Sequence, residues 1–107
     1  LTTPYDIEVF FKRLWEGKIV NLESRDEILS YLTDTIYEDW ISSGIPEDVR
    51  VAHKFGRELH VVNDAGIVLS DNPFVLVVMS QGIVESEADK VIPEIAKLVY
   101  EAEVGSY

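Results

Sequence analysis

The chain has 107 residues, of which 47% are hydrophobic, a size that suits one folded domain or a part of one. Its formal net charge of -11 opposes binding to nucleic acid or to anionic membrane surfaces, because both require a basic surface. Cysteine is absent, which excludes disulfides, thiolate metal sites and a cysteine nucleophile.

The sequence begins at Leu1, with no initiator methionine and with a helix signal directly after it. We therefore expect residues 1–107 to be either a single domain or the C-terminal portion of a larger one. The longest apolar run, Phe74–Met79, is far shorter than the roughly 20 residues of a membrane helix, so no membrane insertion is expected of this segment.

Two helices are predicted in the first part of the chain. Thr3 and Pro4 are typical of a helix start, because a hydroxyl caps free amides and proline suits the first turn, and Gly17 is placed to end that helix. A second start is predicted from Ser24 and Glu27, which form a capping-box pattern. Its apolar stripe consists of Ile28, Leu29, Leu32 and Ile36.

Three strands are predicted next, at Arg50–Phe55, Val61–Leu69 and Phe74–Ser80, from β-branched residues separated by turn residues. The second and third strands are largely apolar at both odd and even positions, which predicts a sheet covered by helices on both faces.

A final helix is predicted after a cap at Ser86 and Asp89, with a kink or a late start at Pro93. The element order α-α-β-β-β-α predicts an α+β fold, in which an antiparallel three-stranded meander is flanked by helices. A sheet of three strands has two open edges, so we expect self-association or a companion chain along one of them.

Three basic residues, Arg50, Lys54 and Arg57, lie within eight positions that contain no acid. In so acidic a chain this clustering indicates a site for an anion such as a carboxylate. The alternative interpretation is a strand edge with solvated basic ends.

Other candidate sites have weaker patterns. His53, Glu58 and His60 do not have the spacing of a known metal site, so neither a metal nor a cofactor is predicted. General acid–base work by Asp64 would require a partner group and a perturbed environment, which the sequence does not show.

Three segments together resemble the third-motif region of class A β-lactamases and related penicillin-recognising serine hydrolases. They are Val51–Gly56, Val62–Val68 and Pro73–Met79. In that family the first strand carries Lys-Thr-Gly or Lys-Ser-Gly, the second an Asn-Asp-Ala-Gly-Ile-like run, and the third is apolar. The Thr2–Asp6 start and the Gly44–Pro46 loop are also similar to elements of that family, so the resemblance covers nearly the whole chain.

The resemblance implies roles for four consecutive residues. Lys54 would project into the cleft, where its charge favours the substrate carboxylate and assists catalysis. Gly56 would let the substrate approach the strand closely, and the backbone amide of Arg57 would contribute to the oxyanion hole. Phe55 stands at the substrate-binding position where the family has a hydroxyl that hydrogen-bonds the substrate carboxylate, and phenylalanine cannot do so.

The resemblance further implies a parent serine hydrolase, extracellular, periplasmic or at the cell envelope, that acts on a β-lactam or a peptidoglycan-like acyl peptide. The family's Ser-x-x-Lys and Ser-Asp-Asn motifs are expected upstream of Leu1 and not within the chain, so the chain alone should be inactive. Two alternatives to this interpretation stay open. The first is a decayed binding or scaffold module, and the second is a free-standing acidic α+β interaction domain whose likeness to hydrolases is coincidental.

Overall fold

The computed structural model describes residues 3–33 and 40–104. Its elements are helices α1 (Pro4–Trp15) and α2 (Leu22–Leu32), a 3-10 turn (Ser42–Gly44), strands β1 (Arg50–Glu58), β2 (Val61–Leu69) and β3 (Phe74–Met79), and helix α3 (Glu85–Val104). The predicted α+β fold and its α-α-β-β-β-α order are confirmed. The predicted extension of the α2 stripe to Ile36 lies outside the described residues.

Helix α1 begins as the sequence predicts, because the Thr3 side chain accepts a hydrogen bond from the Asp6 amide and Pro4 occupies the first turn. The predicted start of α2 is wrong. Asn21 is the N-cap, and its side chain accepts from the Ser24 amide at 2.8 Å. Ser24 therefore lies inside the helix, and the Ser24–Glu27 capping box does not form at the helix start.

The three strands form one antiparallel sheet in the order β1-β2-β3. Within the described residues β1 pairs with β2 alone and is therefore an edge strand. In its register, Lys54 lies opposite Ala65 and Gly56 opposite Asn63. The hairpin between β1 and β2 turns at Leu59 and His60, and His60 has a positive φ of 60°. Strand β1 extends to Glu58, three residues beyond the predicted end, because pairing continues to that turn.

Strand β3 ends at Met79, one residue earlier than predicted. At the next residue, the Ser80 hydroxyl takes the place of backbone hydrogen bonds to β2. The Ser80 hydroxyl accepts from the Val62 amide and donates to the Val62 carbonyl. The Ser80 amide in turn donates to Asn63 Oδ1.

Helix α3 begins at Glu85 and continues through Pro93 to Val104. The predicted cap at Ser86 is therefore wrong, and of the two alternatives predicted at Pro93 the late start does not occur. The amides of Glu87 and Ala88 both donate to the Val84 carbonyl, which sets the first turn before Ser86.

Helices cover both faces of the sheet, as the apolar strands predict. One face packs against α1 and α2 through a cluster of Phe11, Leu14, Leu29, Ala52, Ala65 and Ile67. The other packs against α3 and the 40–45 segment through Trp40, Ile41, Ile45, Val51, Val62, Val68, Leu76, Ala88, Ile92 and Ala96. No helix among the described residues has the length and apolarity needed to cross a membrane.

Candidate functional site

Lys54 lies in the middle of the edge strand β1, with an exposed side chain. Alternate strand residues point to the same face, so Lys54 shares a face with the buried residue Ala52, which packs towards α1 and α2. The sequence-based placement of this lysine in mid-strand is confirmed.

A largely apolar groove of about 290 Å³ lies between α1 and this face of the sheet, and Lys54 and Gly56 line it. Phe10 of α1, which also lines the groove, keeps 47% of its surface exposed. The other apolar lining residues are Ile7, Phe11, Phe55, Ala65, Val77 and Met79. An exposed ammonium at the border of an apolar groove is suited to hold an anionic group against that surface.

The Phe55 ring is half-buried and packs with the core cluster on the α3 side of the sheet. Its ring is edge-on to that of Trp40, and the Lys54 ammonium lies 5.7 Å from its centroid. Trp40 is itself fixed, because its indole Nε1 donates to Asp89 Oδ1 at 2.8 Å. Phe55 therefore replaces a hydroxyl with an aromatic side chain that ties β1 to α3.

The backbone of Arg57 is oriented as an oxyanion-hole donor would require. Arg57 pairs with Val62, whose N–H and C=O both turn towards Ser80 on the β3 side. In an antiparallel strand, both backbone groups of a residue point to the same side. Arg57 and Val62 are thus a non-hydrogen-bonded pair, and the Arg57 N–H is directed away from β2, towards the open edge.

The side chain of Arg57 has a separate structural contact. Its Nη1 donates to Glu85 Oε1 at 2.8 Å, and both side chains are about half exposed. This pair joins the end of β1 to the first residue of α3. The guanidinium is therefore directed to α3, and the backbone amide is the part of Arg57 suited to the site.

Gly56 faces open space. A Cβ added there would meet no atom within 4 Å, so packing within the described residues does not require glycine at this position. The absence of a side chain leaves room for another molecule or segment to approach the strand between Lys54 and Arg57.

The three clustered basic residues do not line one groove. Lys54 lines the groove beside α1, Arg57 a pocket at the start of α3, and Arg50 a third pocket by the 3-10 turn. The three residues are close in sequence but separate in space, because odd and even positions of a strand face opposite ways and the strand is nine residues long.

A buried polar pair lies directly beside Lys54, and sequence reasoning missed it. His53 Nδ1 lies 2.9 Å from Asp64 Oδ1, and the two residues are only 2% and 1% exposed. The pair was detectable, since a two-residue turn between β1 and β2 places positions 53 and 64 on one face as diagonal neighbours. Among the described residues, no group of three potential ligands is placed to hold a metal ion.

The letters Ser-Asp-Asn do occur in the chain, at Ser70–Asn72, contrary to the expectation that they lie only upstream. This triplet forms the turn between β2 and β3, where the Ser70 hydroxyl donates to the Asn72 carbonyl. It lines a pocket with the C-terminal end of α3, separate from the groove that Lys54 lines. Its position does not fit the family motif. No Ser-x-x-Lys occurs in the sequence.

Solved structures of known function share this fold. PBP-A is 27% identical with a TM-score of 0.86, over 95% of this chain and 40% of that one. A PBP-A variant with the same values has been solved as an acyl-enzyme complex with penicillin G. A β-lactamase from Sphaerobacter thermophilus is 25% identical with a TM-score of 0.88, over 94% of this chain and 40% of that one.

A class A β-lactamase from Mycobacterium abscessus shares the fold at 20% identity and a TM-score of 0.84, over 95% of this chain and 42% of that one. The chain thus spans about 40% of the length of these proteins. Among curated proteins, none matches it. A family model described as the β-lactamase enzyme family matches residues 1–102, and the chain belongs to that family.

Proposed function

We propose that this chain forms one wall of the cleft of a serine hydrolase that acts on a β-lactam or a peptidoglycan-like acyl peptide at the cell envelope. The observation that carries the proposal is the arrangement of β1. Lys54 borders a groove, Gly56 leaves open space, and the Arg57 amide points to the open edge of the sheet.

The proposed reaction is acyl transfer to a serine that this wall does not supply. The serine oxygen attacks the carbonyl carbon, the C–N bond breaks, and the proton of the serine hydroxyl passes to the nitrogen. The amine departs from an acyl peptide, whereas in a β-lactam it stays attached through the opened ring. Water then hydrolyses the ester and frees the serine. The Arg57 N–H would stabilise the oxyanion that develops in each step, and the positive charge of Lys54 would hold the substrate's anionic group and favour proton transfer.

The groove beside Lys54 indicates where the nucleophile-bearing part would pack. Phe10 is half-exposed there and borders a largely apolar groove, so a segment packed on the groove would bury its ring. A segment carrying the Ser-x-x-Lys motif, on the same polypeptide or on a companion chain, would cover the groove and bring its serine to the β1 edge. Without that segment the 107 residues should be inactive.

A fluorescent penicillin tests this proposal. A longer protein that contains this chain together with a Ser-x-x-Lys segment should be labelled on the serine, whereas the 107 residues alone should not. Lys54→Ala should slow labelling roughly 100-fold, the scale of loss when one transition-state donor is removed. Lys90→Ala removes an exposed lysine of α3 and is the matched control. Absence of labelling in the longer protein would count against an active hydrolase.

Phe55 favours one second candidate, a binding or scaffold module that has kept the fold and lost the reaction. Its ring packs on Trp40 and offers no hydroxyl to a substrate carboxylate. In this case Phe55→Thr leaves turnover undetectable while a peptide or glycan ligand still binds, and a gain of hydrolysis rejects the candidate. Family membership argues against the other alternative, an interaction domain whose likeness to hydrolases is coincidental.

A further inference from the structure

The His53–Asp64 pair joins three segments that are distant in the sequence. Asp64 on β2 uses Oδ1 for His53 on β1 and accepts the Ile41 amide on Oδ2 at 3.0 Å. Both contacts are buried. One carboxylate thus fixes the edge strand and the segment before the 3-10 turn relative to the central strand.

Gly66 allows β1 to lie unusually close to β2 beside this pair. Gly66 lies directly opposite His53. A Cβ at Gly66 would overlap the Ala52 carbonyl oxygen and come within 2.7 Å of both His53 Cα and Cβ. The glycine therefore leaves room for the β1 backbone and for His53 Cβ beside β2. From this position the imidazole reaches Asp64.

The two contacts of Asp64 bear on which imidazole nitrogen carries a proton. A carboxylate that carries no proton can only accept hydrogen bonds, and Asp64 Oδ2 already accepts from the Ile41 amide. When Asp64 accepts on both oxygens, His53 is the donor in the 2.9 Å contact, from Nδ1. A hydrogen bond to one ring nitrogen fixes the tautomer and the orientation of a histidine.

The pair acts next to the candidate site. His53 directly precedes Lys54, and within the described residues β2 is the one strand that pairs with β1. The imidazole is held on the α3 side of the sheet, while Lys54 points to the α1 side. Fixing His53 therefore restrains the backbone of β1 at Lys54, which lines the groove together with Gly56.

We propose that Asp64 is a positioning residue, which holds His53 as the Nδ1–H donor and thereby sets the placement of Lys54, Gly56 and the Arg57 amide along the sheet edge. The proposal deepens the proposed function, because it assigns a supporting residue to the same site. Its observables do not depend on turnover.

Nuclear magnetic resonance of the chain tests the proposal. The ¹⁵N signals of the unsubstituted protein should show His53 protonated at Nδ1. Asp64→Asn presents one acceptor and one donor, so its carbonyl should keep the Ile41 amide while its NH₂ group faces Nδ1. The His53 proton should then move to Nε2, and the amide signals of Lys54, Gly56 and Arg57 should shift. Asp71→Asn, an equal charge change at an exposed turn, should alter none of these signals.

The outcomes separate this proposal from a purely stabilising role. A neutral His53 protonated at Nε2 in the unsubstituted protein overturns it, even if Asp64→Asn does not fold. A folded Asp64→Asn protein with unchanged amide signals at 54–57 also overturns it. If the His53 proton moves to Nε2 and these signals shift, but the longer protein is never labelled by penicillin, the positioning role stands and the hydrolase proposal fails.

Discussion

Phe55 packs edge-on against Trp40, with ring centroids 5.4 Å apart and ring planes at 66°. Trp40 is 5% exposed and is hydrogen-bonded to Asp89 of α3. The residue that breaks the family's Lys-Thr-Gly pattern is therefore linked to α3 through Trp40. Replacing Phe55 should therefore change the stability of the fold.

Phe55→Thr should lower the free energy of unfolding by about 2 kcal/mol, less than the loss typical of a fully buried phenylalanine because the ring is half-buried. Urea unfolding measures the change. Tyr31→Thr removes an exposed aromatic residue from α2 and should change the stability by less than about 0.5 kcal/mol. Equal effects of the two substitutions would mean that the Trp40 contact contributes nothing specific.

Substitutions of Gly44 and Gly56 should have different effects on stability, because of the two only Gly44 is closely packed. Gly44→Ala should be strongly destabilising, because the added Cβ would overlap the Pro93 carbonyl of α3. Gly56→Ala should leave the free energy of unfolding within about 0.5 kcal/mol, since the new methyl group meets no atom within 4 Å.

In a longer protein that reacts with penicillin, Gly56→Ala should nevertheless slow labelling, because the methyl group would occupy the approach to the strand. Comparing the unfolding midpoint with the labelling rate of the same variant makes the distinction. A Gly56→Ala protein that is fully folded and labels at the original rate would remove the proposed role of this glycine.

The start of α2 provides a simple test of helix capping. Asn21→Ala should cost about 1 kcal/mol, because the Asn21 side chain accepts the Ser24 amide. Ser24→Ala should have little effect, since Ser24 lies inside the helix and alanine has a better helix propensity. Thermal unfolding of both variants checks the assignment, and a larger loss for Ser24→Ala would restore the capping box that the sequence predicts.

The sequence predicts the strands well because their signals are local. β-branched runs and the turns between them place β2 at Val61–Leu69 as predicted, and Lys54 in mid-strand follows. The errors occur where two local signals compete. Asn21 and Ser24 are both good caps, and the structure uses Asn21.

Functional contacts were harder to predict because they depend on which face each side chain occupies. Arg57 is near Lys54 in sequence, yet its guanidinium contacts Glu85 of α3. His53 and Asp64 are unremarkable alone, and their burial beside each other depends on the hairpin register and on helix packing over that face. Strand alternation identifies the shared face of His53 and Asp64 once the two-residue turn is assigned, but it does not identify the contact of Arg57 with α3.

Self-association of the isolated chain is the remaining prediction. The β1 edge directs backbone groups outward, and the groove beside it leaves Phe10 half-exposed, so two surfaces favour contact with another chain. Phe10→Glu adds a buried-interface charge and should shift the population towards monomer in light scattering at increasing concentration. Tyr31→Glu, on an exposed part of α2, is the matched control and should leave association unchanged. A strictly monomeric unsubstituted chain would contradict the prediction, whereas an equal effect of both glutamates would point to general charge repulsion in an already acidic protein.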